Sequence, residues 1–128
     1  MVDAELIEKL RDRPSMYGLD GSYYPTATYL LGMDQALSGG LLRGFDEWLA
    51  VRRGEYSSLT WVTRVLKDVV PEFELETWEK LSSLTAEQSR RALDELYSLV
   101  LEFLQVRNDR QALSKMYVQH RSLCPWES

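Results

Sequence analysis

Cysteine, histidine, proline and positive charge are all scarce in this chain of 128 residues. A single cysteine, Cys124, excludes an internal disulfide framework and fits a reducing compartment. One histidine, His120, beside one cysteine leaves too few ligands for any usual zinc site, so neither a metal nor a cofactor is expected. Lys and Arg number 15 against 20 Asp and Glu, a net charge of −5. That balance disfavours nucleic acid as a direct ligand, because phosphate binding depends on clustered cations. It suits a basic protein partner. No apolar run approaches the ~20 residues that span a bilayer, so no membrane role is expected. Met1-Val2-Asp3-Ala4-Glu5 has neither the basic nor the apolar region of a secretion signal, and a cytoplasmic location is the expectation.

What is present describes one folded unit. The chain is 45% hydrophobic and 27% charged, with 4 Trp, 7 Tyr and 3 Phe that need burial, and this excludes disorder as its main state. No repeat and no Pro/Gly/Ser-rich linker divides it, so residues 1–128 read as a single domain whose tail after about residue 121 is expected to fray. Charge is uneven: residues 1–79 hold 14 acids against 8 bases, with the densest run from Asp68 to Glu79.

Spacing near 3.6 residues dominates, and no segment alternates with the period of two that a sheet needs. Leu6, Ile7 and Leu10 make a short stripe behind an Asp3 cap, stopped by Pro14. A second helix is expected from about Pro25, with Leu30, Met33 and Leu37 on one face and Gly39-Gly40 as its end. A third would follow at once, burying Leu41, Leu42, Phe45, Trp48 and Leu49 and closing at Gly54. Ser57 or Ser58 would cap a fourth, carrying Leu59, Val62, Val65, Leu66 and Val69 as far as Pro71. Residues 72–83 read equally as an extended piece or as a helix around Trp78 and Leu81. The clearest helix is 85–107, where Thr85 and Gln88 form a capping-box pattern ahead of Leu93, Leu96, Tyr97, Val100, Phe103 and Leu104. Asp109 would cap a last helix with Leu113, Met116 and Tyr117. The expected fold is all-α, a compact bundle of about five to seven helices.

Chemistry-bearing groups are few. His120 lies one turn beyond Met116 and Tyr117 and reads as a structural or surface histidine. The neighbouring acids Asp46-Glu47 and Asp94-Glu95 point about 100° apart on a helix, which favours solvated faces over an acid/base pair. Gly39-Gly40 and Gly18–Gly21 lack the flanking strand and lysine of a phosphate loop. No catalytic residue is assigned, and the chain is not expected to be an enzyme. Tyr23, Tyr24 and Tyr29 crowd a polar loop and helix start, a composition that suits either a core or a recognition surface.

In order and spacing, Arg13-Pro14-x-Met16-Tyr17-Gly18, Leu31-Gly32 with Ala36, Phe45-x-x-Trp48 and Ser58-x-x-Trp61 resemble a group of small bacterial immunity proteins that accompany polymorphic secreted toxins. The similarity spans roughly residues 8–105, and Met33 stands where the pattern would have an aromatic. The resemblance implies a cytoplasmic antidote that binds a cognate toxin domain and blocks it. Acidic charge would suit a basic nuclease as that toxin. The expected contact residues are Asp20, Tyr23, Tyr24, Asp46, Glu47 and Glu55, with Glu72, Glu74 and Glu76 as an alternative patch. The rival reading is a small helical ligand-binding regulator or enzyme with a pocket near Tyr17, Trp48 and Trp61.

Overall fold

Proline lacks an amide hydrogen and crowds the residue before it, and the first helix ends accordingly. In the computed structural model, which describes residues 4–72 and 84–127, α1 runs Ala4–Asp12 and Arg13 leaves helical geometry at φ −138°. Ile7 and Leu10 are its fully buried face. A 3-10 turn, Pro14–Tyr17, follows and closes on Gly18. The Asp3 cap and the segment 73–83, with Glu74 and Glu76, lie outside the described residues.

Helix α2 spans Tyr23–Ala36, starting two residues before the expected Pro25. Pro25 thereby occupies the first turn, where its missing N–H leaves no helical bond unmade. The expectation that Leu41 and Leu42 open the next helix is overturned. They lie in a turn, and α3 is Phe45–Arg53. One carboxylate accounts for the difference: Asp34 Oδ1 accepts the backbone N–H of both Leu41 (3.2 Å) and Leu42 (2.6 Å). With their amides satisfied from α2, the two leucines bury their side chains without helical backbone. Gly54, at φ +75°, ends α3 as expected.

Helix α4 is Trp61–Val69, capped at Thr60 rather than at Ser57 or Ser58. Ser57 serves the approach to it instead, its hydroxyl accepting from the Leu59 amide and from the Arg64 guanidinium. Leu59 is therefore outside the helix and partly exposed. Helix α5, Ala86–Arg107, carries the full capping box: Thr85 Oγ1 accepts from the Gln88 amide, and Gln88 Oε1 from the Thr85 amide. Helix α6, Arg110–Leu123, starts on Asp109, whose carboxylate accepts from Gln111 and Ala112. The segment expected to fray continues α6 to Leu123 and ends in a 3-10 turn, Pro125–Glu127, with Cys124 buried.

The architecture is all-α, with six α-helices and no strand among the described residues. No helix among them is long and apolar enough to cross a membrane. Helix α5 is the axis, packing against each of the other five, while α3 and α6 lie against one another at one side. At the centre, the Phe45 ring lies 5.3 Å from Phe103, 5.7 Å from Trp61 and 5.9 Å from Trp48. Burying each such side chain contributes about 1.5–3 kcal/mol, so this aromatic knot is a principal source of stability.

Candidate functional site

Gly44 decides where the site begins. It adopts φ +94°, and a Cβ placed on it would lie 2.6 Å from the Tyr117 hydroxyl oxygen. The start of α3 can therefore lie close against α6. This brings the first-turn acids of α3, Asp46 and Glu47, to the side on which His120 emerges one turn after Met116. Acids in a first turn also complement the positive end of the helix dipole. The α3–α4 connection contributes Tyr56 and Ser57–Thr60, and the C-terminal turn contributes Trp126. Together these groups line an open cleft of about 320 Å³.

Its aromatic wall is a corner rather than a stack. Tyr56 and Trp126 meet at 87° with centroids 5.0 Å apart, and the His120 ring is 6.5 Å from Tyr56. Behind His120, the Cys124 thiol lies 3.8 Å from Nδ1 and packs over the His120 carbonyl. Among the described residues no cluster of three His, Cys, Asp or Glu could hold a metal ion.

The two acids of the cleft play different parts. Asp46 is largely exposed as a residue, yet its carboxyl end is partly desolvated, which raises its pKa above the usual carboxylate range. The nearby Trp61 backbone opposes that rise, and the neighbouring Glu47 charge adds to it. Glu47 takes part in no ion pair among the described residues, although Glu5, Asp12, Asp68, Glu72, Asp94 and Glu102 all do. Its charge is felt at Tyr117, whose pKa is raised first by desolvation and then by Glu47, against the pull of Arg43.

Asp46 therefore makes a pH-dependent contribution with a definite sign. A carboxyl whose folded pKa is raised weakens the fold as pH rises through that pKa, because the ionised form is the disfavoured one. Asp46→Asn keeps the shape of the side chain without its charge. It should match or exceed the wild type in melting temperature at pH 7, the gap closing as acid protonates the wild-type carboxyl. Thermal denaturation of the two proteins across pH checks this, and an Asn variant that melts below the wild type at pH 7 would overturn it.

The other residues expected at a partner surface are dispersed. Tyr23 is corrected outright. It is 0% exposed, its hydroxyl donates to the Val62 carbonyl at 2.6 Å, and burial pushes its pKa far above the ordinary tyrosine value. Packing α2 against α4 and α5 buries the residue that a polar sequence context had placed outside. Tyr24 is half-buried against the core. Asp20 is exposed near the start of α2, its pKa lowered by hydrogen bonds from Ser22. Glu55 is exposed beside Tyr56. Glu72 is exposed and paired with Arg91 at 3.2 Å.

The three residues of the rival pocket are not brought together around one cavity. Trp48 and Trp61 are 6% and 4% exposed and belong to the core around Phe45, whereas Tyr17 packs edge-on against Tyr29 and borders a separate cavity with Lys9, Asp12, Arg13 and Met16. Conversely, Tyr56, His120 and Trp126 join the site without having been assigned to it. The adjacency of Tyr56 to Glu55 was the one local signal for any of them. No family model, curated protein or solved structure matches the chain.

Proposed function

We propose that this chain acts by stoichiometric binding to a basic protein partner, and that the partner is a toxin domain which it blocks in the cytoplasm. The observation that carries the reading is the cleft. Two carboxylates face it, Glu47 and Asp46, neither in an ion pair among the described residues, beside aromatic rings and with no Lys or Arg among the described residues of its lining. Unpaired carboxylates around an open aromatic-walled site attract a cationic surface over distance and leave rings to bury once contact is made. The order of short motifs resembling the immunity group supplies the toxin. A nuclease, with its cationic phosphate-binding cleft, is the toxin class that this charge suits.

The test is association kinetics with the domain encoded by the adjacent reading frame, measured at two salt concentrations. Reversing Glu47 and Glu55 together to Lys should slow association by roughly tenfold and flatten its salt dependence, with the helical circular dichroism spectrum unchanged. An unchanged rate and an unchanged salt dependence would overturn electrostatic docking through this face. A chain that forms no complex with that domain would overturn the toxin assignment.

A further inference from the structure

We infer that the cleft between α3 and the C-terminal turn is a receptor for one guanidinium group, an arginine side chain of the partner, with Glu47 as its counter-charge and the Tyr56–Trp126 corner as its wall. The inference rests on the proposed partner binding only for who brings the arginine; the receptor itself is argued from this chain.

Shape comes first. A volume of about 320 Å³ stands at the low end of ligand sites, ~300–1,000 Å³, and suits a side chain better than a large cofactor. The perpendicular contact at 5.0 Å engages one ring by its edge and the other by one face, so flat aromatic surface remains free. Trp126 is 66% exposed, which is unusual for an indole already in contact with another ring. Exposed aromatic faces beside carboxylates have a cation as their natural occupant, because the ring quadrupole and the anions act with the same sign.

Charge then narrows the choice. Asp46 is partly desolvated, which disfavours its ionised form and leaves Glu47 as the better counter-charge. Glu47 has neither an ion pair nor a hydrogen bond among the described residues, and both of its oxygens are available. The nearby cations are used elsewhere: Arg53 and Arg64 go to Asp68, and Arg43 donates to the Ser38 carbonyl. A planar fork that donates edge-on to a carboxylate while its face lies against a ring is the guanidinium arrangement. An ammonium offers a point charge without the plane.

The probe is N-acetyl-arginine methylamide, titrated into the whole protein and followed by the Trp126 indole and Tyr56 ring resonances, with the lysine and citrulline analogues alongside. Arginine should give saturable shifts confined to Tyr56, Trp126, Glu47 and His120, with lysine weaker and neutral citrulline weaker still. Glu47→Gln, which keeps the size of a half-buried side chain, and Trp126→Ala, at an exposed position, should leave the circular dichroism spectrum unchanged and each weaken arginine by about threefold to thirtyfold. Absence of a saturable shift, an equal response to citrulline, a preference for lysine, or indifference to both substitutions would overturn the inference. Co-purification with the adjacent-frame domain separates the two proposals. A complex without arginine binding sinks the receptor alone, and arginine binding without a complex sinks the toxin reading alone.

Discussion

Truncating Phe45 to alanine is expected to lower folding stability by about 3–5 kcal/mol, the range for removing a buried phenylalanine and leaving its cavity. Phe45 is fully buried, and its ring is the one shared by Trp48, Trp61 and Phe103, so its loss leaves three large rings facing a void. The residues around it come from α3, α4 and α5, and three helices cannot close on a single cavity without shifting against their other neighbours. A chemical denaturation midpoint, measured with unchanged slope, reads the effect directly. Loss of less than 1 kcal/mol would show that the knot is loosely packed and that the centre of stability lies elsewhere.

Replacing Gly44 with valine should be nearly as damaging, for a different reason. The residue sits at φ +94°, a region that costs an L-residue of order 1–3 kcal/mol and a β-branched one at the upper end. The new side chain would also meet the Tyr117 hydroxyl, so α6 must move away from the start of α3. The two contributions are separable. Tyr117→Phe removes the obstructing oxygen from a partly exposed side chain and should restore only the steric share, leaving the backbone share intact. Full rescue by Tyr117→Phe would mean that the left-handed backbone carries no cost here. Because Glu47 follows three residues after Gly44 and His120 three after Tyr117, partner binding should fall in the same variant even at temperatures where it remains folded.

Much of the fold was legible because its signals are local. Thr85 with Gln88, Asp109 ahead of α6, Gly54 after α3, and Pro14 and Pro71 as stops each act within four residues of themselves. The errors fall where a distant group satisfies the backbone. Leu41 and Leu42 have apolar helical spacing, but Asp34 takes their amides from seven and eight residues away. Tyr23 looks like a loop residue until Val62, 39 positions along, accepts its hydroxyl. The site was half legible on the same principle. Asp46, Glu47 and Glu55 could be named from charge and helix position, whereas Tyr56, His120 and Trp126 meet only because α6 returns along α3. Trp48 and Trp61 carried spacing that fits a core and a cage equally well, and burial alone separates the two.

The central place of α5 sets the timing of folding as well as its geometry. Helices α1 and α2 pack chiefly on α5, which starts at Ala86, more than sixty positions after Tyr23. During synthesis from the N-terminus, Ile7, Leu10 and Leu30 leave the ribosome long before the surface that covers them exists. Until residues 86–107 have emerged, the apolar faces of α1 and α2 lack the helix they pack on and are open to chaperones or to self-association. Closure of this core therefore waits on the synthesis of α5.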